Sequence, residues 1–140
     1  MKIKIKRFHS EVKIPQYAHL GDAGLDLYSL EDKVLNPGER YLFKLGFALE
    51  LPEGYVGLIW DKSGLAANSG VTNLGGVIDS NYRGEVGVIL LNASSSAATI
   101  KKGDRIAQLL IQKIETVEIE EVTELSDSPR GTGGFGSTGK

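Results

Sequence analysis

Aspartates, cations and hydroxyls recur in short glycine-containing stretches of this chain, and these are the residue types that anion binding and water activation require. Five stretches carry them: Ala23-Gly24-Leu25-Asp26-Leu27, Lys62-Ser63-Gly64-Leu65-Ala66, GVIDSNYRGE from Gly76 to Glu85, Gly103-Asp104-Arg105-Ile106-Ala107-Gln108, and RGTGGFGSTG from Arg130 to Gly139. Ser63 at a helix start, with Lys62 before it and Gly64 permitting close approach, offers backbone N–H groups and a cation to a phosphate. The last stretch offers Arg130, the hydroxyls of Ser137 and Thr138, and a backbone free enough to fold as a nest around oxyanions. It lacks the GxxxxGK(S/T) order and the strand, loop and helix around it, so a Walker nucleotide site is not indicated. Each stretch also has a plainer reading. Asp26, alternating outward on a strand, suits either a solvated position or a magnesium-site carboxylate. Asp79 is placed as a turn former as well as a base. Tyr82 suits a half-buried sheet aromatic, Gln108 a surface strand position, and Arg83 and Asp104-Arg105 simple ion pairs. His9 and His19 have no partner spacing and read as surface residues.

The elements that must position these groups read as strands. Ile3 and Ile5 alternate with Lys2, Lys4 and Lys6, the period of a half-buried strand. Similar short segments recur at Val34-Leu35, Tyr41 to Phe47, Tyr55 to Trp60, Glu85 to Leu91, Ala98 to Ile100 and Thr116 to Val122. Turn signals separate them at Asn36-Pro37-Gly38-Glu39, Leu51-Pro52-Glu53-Gly54 and Lys101-Lys102-Gly103-Asp104. Many short strands with frequent turns predict an antiparallel sandwich or barrel. Arg105 to Ile114 also fits a helical face, but the turn before it and the neighbouring strands favour a strand. One short helix is expected after Asp61, capped by Ser63. From Leu125 the composition changes to Ser, Pro and Gly, which predicts a main unit over residues 1–125 and a mobile C-terminal segment over 126–140.

Composition narrows the function. The 140 residues carry 16 Lys+Arg against 18 Asp+Glu, a net charge of −2, without the basic excess of a general nucleic-acid binder. Cysteine is absent, which excludes disulfides, thiolate zinc sites and cysteine nucleophiles. The longest wholly apolar run, Val88 to Leu91, is far short of the roughly 20 residues of a membrane span. The opening MKIKIKRF lacks the apolar block of a secretory signal. The expectation is a cytoplasmic protein that contacts neither nucleic acid nor membrane. Glycine is abundant, 18 residues in 140 against a usual share of about 7%.

Taken in order, the five stretches resemble the five motifs of the trimeric dUTP diphosphatases (dUTPases), most specifically through GVIDSNYRGE and RGTGGFGSTG, and together they span Ala23 to Gly139. That resemblance implies an all-β fold, a distorted jelly-roll barrel with one short helix and a flexible Gly-rich tail, assembled as a homotrimer with active sites shared between subunits. It implies hydrolysis of dUTP to dUMP and pyrophosphate by attack on the α-phosphorus, which limits uracil incorporation into DNA and supplies dUMP for dTMP synthesis. Asp79 would orient and deprotonate the water, and Tyr82 would pack under the deoxyribose and leave no room for a 2′-hydroxyl. The hairpin from Asn73 to Asp79 would read uracil largely through backbone groups, Gly76, Val77 and Ile78 among them, with the Asn73 amide as a further candidate. Lys62, Ser63 and Gly64 would hold phosphates, Gln108 the phosphate and water, and Asp26 would hold Mg2+ through water. Arg130, Ser137 and Thr138 would clamp the γ-phosphate while Phe135 stacks on the base, with Gly136 beside them in the substrate-binding set.

Two positions depart from the family pattern. Its second motif usually begins with Arg, where this chain has Asp61-Lys62; lysine keeps the charge but loses the planar two-pronged contact. Asn81 stands where the family is often acidic. A related dCTP deaminase would need a glutamate in the strand after the third motif, and ten residues beyond Asp79 stands Ile89. A non-catalytic trimeric binding module is the other rival, opposed by the intact Asp79, Tyr82, Gln108 and tail.

Overall fold

The computed structural model describes residues 1–135, which form eleven strands and one helix. The strands are β1 (Lys4–Arg7), β2 (Leu25–Tyr28), β3 (Lys33–Leu35), β4 (Arg40–Lys44), β5 (Phe47–Glu50), β6 (Tyr55–Asp61), β7 (Val71–Leu74), β8 (Val77–Ile78), β9 (Gly87–Asn92), β10 (Ala98–Ile100) and β11 (Arg105–Lys113); the helix α1 is Ser63–Ser69. All pairings are antiparallel. They make one four-stranded sheet in the order β2-β11-β6-β8, one three-stranded sheet in the order β4-β9-β7, and two pairs, β1-β5 and β3-β10. The expected all-β class with one short helix holds.

Turn chemistry explains how such short strands reverse. In Asn36-Pro37-Gly38-Glu39 the Glu39 N–H donates to the Asn36 carbonyl at 2.9 Å, with Gly38 at φ 75°. Proline first and a positive-φ glycine second are the requirements of a type II turn. Alternation then sends Phe43, Phe47, Leu27, Leu35, Leu90 and Leu109 into one core cluster, all at most 1% exposed. Burying side chains of this size stabilises by about 1.5–3 kcal/mol each. β11 settles the ambiguous Arg105 to Ile114 stretch as a strand. It lies between β2 and β6, and Ile106, Ala107 and Leu109 fill the core.

Three expectations need correction. Asp26 does not face solvent: it is 2% exposed, because the segment at Gln16 bridges to it and two cationic side chains cover it. Ser63 does not cap α1. Lys62, extended at φ −82° and ψ 117°, is the N-cap; its carbonyl accepts the Ala66 N–H, so Ser63 is already the first helical residue. Thr116 to Val122 forms no strand. With no partner strand for it among the described residues, Val117 and Ile119 stay 74% and 88% exposed. No helix among the described residues is long and apolar enough to cross a membrane.

Candidate functional site

Two groups of residues emerge. The first is built on a buried carboxylate. Lys62 Nζ lies 2.7 Å from Asp26 Oδ1, and Arg105 Nε lies 3.2 Å from Asp26 Oδ2. A lone carboxylate buried this deeply is costly, and two cations offset that cost. Oδ2 nevertheless accepts no hydrogen bond. Gln108 is paired in register with Asp26 on one side and Trp60 on the other, and its Nε2 donates to the Asp61 carbonyl at 2.9 Å. Gly24 makes room for it: a Cβ there would stand 2.5 Å from Gln108 Oε1 and 2.9 Å from its Cβ. Ser63 and Gly64 at the start of α1 are exposed, and a Cβ on Gly64 would meet nothing within 4 Å, so the space above the helix start is open to a ligand.

The second group surrounds a pocket of about 450 Å³ lined by Leu42, Ile59, Gly76, Val77, Asp79, Tyr82 and Ile89, among others. Its edge is the turn between β7 and β8. Gly76 adopts φ 105°, and a Cβ there would come within 2.9 Å of both Asn73 Nδ2 and the Ile59 carbonyl, so only glycine fits. The Asn73 amide nitrogen is engaged within the hairpin. Its Nδ2 donates to the carbonyls of Ile59 (3.1 Å) and Gly75 (3.3 Å), and its buried Oδ1 has no partner. Asn73 therefore braces the hairpin, while Gly76, Val77 and Ile78 line the pocket beside it.

Asp79 is exposed at the pocket wall, and no protein group among the described residues hydrogen-bonds its carboxylate. Its carbonyl accepts the Tyr82 N–H at 3.1 Å, closing the turn that carries both residues. The Tyr82 hydroxyl donates to the Glu85 carbonyl at 3.1 Å, and its ring lies over Gly84, where a Cβ would approach within 2.2 Å of the hydroxyl. Arg83 holds the same loop through the Ser80 and Tyr82 carbonyls and sits 3.9 Å from Glu50. The Glu50 carboxyl is held below its ordinary range, first by the Lys4 hydrogen bond and then by the Lys4 charge. Glu85, the other carboxylate lining the pocket, accepts the Gly46 N–H at 2.9 Å.

The sequence-derived set is thus divided. Asp26, Lys62 and Gln108 come together, as do Asn73, Gly76, Val77, Ile78, Asp79 and Tyr82, and none of the first three lines the pocket that Asp79 lines. Arg130 bonds within its own turn, Nε to the Gly133 carbonyl at 2.7 Å, and Phe135 is fully exposed. Gly136, Ser137 and Thr138 lie outside the described residues. His9 and His19 are exposed, as expected. Residues given no role at the site from sequence also matter: Gly24, Arg105 and Asp61. Arg105 stood only as an ion-pairing cation, and nothing nearby in the chain signalled its buried partner Asp26.

The chain as a whole has counterparts among known proteins. The dUTPase family model matches residues 10–139. The chain is 51% identical over 140 residues to the deoxyuridine 5'-triphosphate nucleotidohydrolase of Clostridium tetani, covering 99% of this chain and 97% of that one. It is also 51% identical to that of Nautilia profundicola, over the full length of both. Among solved structures, a mutant dUTPase of Staphylococcus bacteriophage 80alpha with dUpNHpp superposes with a TM-score of 0.93 at 32% identity, covering 99% of each chain. A mutant dUTPase from phage phi11 of S. aureus, whose structure details the coordination of a structural Mg(II) ion, gives 0.83 at 27% identity, covering 91% of this chain and all of that one. The chain belongs to the dUTPase family. It is a hydrolase of nucleotide metabolism.

Proposed function

We propose that this chain hydrolyses dUTP to dUMP and pyrophosphate, with Asp79 activating the water that attacks the α-phosphorus. The observation that carries the reading is the Asp79 carboxylate, unpaired at the wall of a pocket that Gly76, Val77, Ile78 and Tyr82 also line. An unpaired carboxylate is a competent acceptor for a water proton, and hydrolysis of a triphosphate needs an in-line water, a base and neutralisation of about four negative charges. Lys62, the helix-start amides of Ser63 and Gly64, Gln108 and Arg130 supply the neutralisation and the phosphate contacts. Gly136, Ser137, Thr138 and Phe135 close over the substrate as parts of a lid over residues 126–140, which excludes water and strengthens those contacts. Tyr82, fixed by Gly84 and the Glu85 carbonyl, packs against the sugar and refuses a 2′-hydroxyl. The product role is to keep uracil out of DNA and to supply dUMP for dTMP synthesis, in the cytoplasm.

The separation of the two residue groups on one chain supports a homotrimer in which each site draws on more than one subunit. For magnesium, the donor set fits an ion that arrives with the triphosphate. Among the described residues no three Asp, Glu, His or Cys side chains cluster, and magnesium characteristically keeps several waters. Asp26 Oδ2, buried and without a hydrogen bond, is the acceptor left for such a water. When bound, the ion neutralises phosphate charge.

Chromatographic analysis of the products of each dNTP with magnesium tests the reading. Release of dUMP and pyrophosphate from dUTP, with dCTP and dTTP poorly used, supports it. Ammonia from dCTP would point to the deaminase, against which Ile89 in the pocket wall already argues, and no turnover would point to a binding module.

A further inference from the structure

The hairpin proposed to read the base is the place where the chain passes from one sheet to another. β7 belongs to the sheet with β9 and β4, whereas β8 belongs to the sheet with β6. The β6–β8 ladder covers only Gly57 with Ile78 and Leu58 with Val77, followed by one bond from the Ile59 N–H to the Gly76 carbonyl at 2.8 Å. Beyond that point β6 is tied to the hairpin by side chains. Asn73 Nδ2 reaches back to the Ile59 carbonyl. Asp61 takes the opposite part: its carboxylate accepts the Thr72 hydroxyl at 2.7 Å through Oδ2 and the Asn73 backbone N–H through Oδ1. Asp61 also lines, with Thr72, Asn73, Gly75 and Gly76, the pocket on the outer side of the same turn.

We infer that Asp61 is a positioning residue for base selectivity: its carboxylate replaces the missing ladder bonds and fixes the β7–β8 hairpin in the geometry that presents Gly76, Val77 and Ile78 to the base. Charged hydrogen bonds are about twice as strong as neutral ones, so this acceptor holds two donors more firmly than another backbone carbonyl would. A base edge is read by buried donors and acceptors whose mismatch is costly only when they cannot shift. Loosening the hairpin therefore lets a wrong base find partners. The phosphate side is held separately, since Gln108 bonds the Asp61 backbone carbonyl, which any substitution keeps.

The inference rests on the hairpin reading uracil, and its test separates the two. Steady-state kinetics would be measured with dUTP and dCTP for the wild type, Asp61→Ala, Asp61→Asn and Thr72→Val, each checked for its folded spectrum. Asp61→Ala is expected to raise KM for dUTP about tenfold and to lower the dUTP-over-dCTP ratio in kcat/KM by about as much, with kcat within about threefold. Asp61→Asn keeps an oxygen for the Asn73 N–H and should recover most of both losses. Unchanged KM and selectivity, or a loss confined to kcat, would overturn the inference. Should Asp61→Ala fail to fold, Thr72→Val removes one of the two bonds, and an unaltered selectivity in that variant would be equally fatal. A wild type indifferent between dUTP and dCTP would sink the hairpin reading, and this inference with it; a selective wild type whose preference survives every substitution sinks only the part given to Asp61.

Discussion

Asp26 and Asp79 are the same residue type in opposite surroundings. Asp26 is buried, with Lys62 on one oxygen and Arg105 beside the other; Asp79 stands exposed with no protein partner among the described residues. Around Asp26 the charges already compensate one another before a ligand arrives. Around Asp79 no protein group among the described residues bonds the carboxylate, and it is left for solvent. A paired, buried carboxylate contributes to the fold and holds cations in place. An unpaired one contributes little to the fold and is free to take a proton. The contrast predicts that stability and turnover separate between the two regions.

The largest effect should come from Asp79→Asn, which is expected to bind nucleotide but lose about 10²–10⁴ in kcat, the usual cost of removing a general base, with an unchanged melting temperature. Near-normal turnover by product chromatography would end the contrast. Deleting residues 130–140 should cut activity on dUTP by about 10² or more, on the scale of losing preorganised charge contacts, and leave the melting curve and the oligomer intact. Loss of either would make the segment structural.

Asp26→Asn, unlike Asp79→Asn, should lower stability. It leaves Lys62 and Arg105 uncompensated, and because both are partly exposed the cost is set below that of a fully buried pair, at about 1–3 kcal/mol by denaturant titration. Tyr82→Ala sharpens the comparison on the Asp79 side, with the preference for dUTP over UTP narrowing about tenfold in kcat/KM. The smallest effect lies far from both regions. The Glu39 carboxyl is held below its ordinary value, first by the Lys33 hydrogen bond and next by the Asn36 N–H. Its stabilisation is present above the unfolded carboxyl value and is lost as pH falls through the lowered folded one. Glu39→Gln should therefore flatten the acid side of the melting temperature profile slightly, below about pH 4.5, without altering activity.

Much of the fold was legible because alternation and turn chemistry are local. Pro37-Gly38 and the Ile3 and Ile5 alternation carry their own geometry. Asp26 was misread because what covers it comes from Gln16, Lys62 and Arg105, distant in sequence and joined only when β2 meets β11. Thr116 to Val122 alternates like a strand, but a strand also needs an edge to pair with, and sequence does not say where one is. At the site, residue types pointed to Asp79 and Lys62. Asp61 escaped because its partners Thr72 and Asn73 lie beyond the helix.

The pairing of β2 with β11 and of β3 with β10 also sets the tempo of folding. Each joins segments 63 to 84 residues apart in register, Leu35 with Ala98 and Leu25 with Leu109 at the two limits. Loop closure must precede such contacts, which places this topology among domains that fold in milliseconds to seconds rather than microseconds. During synthesis β2 and β3 emerge long before their partners, so their edges stay unsatisfied until Ala98 to Lys113 has been made. The nascent chain is accordingly exposed to association with other unfinished chains for most of its elongation.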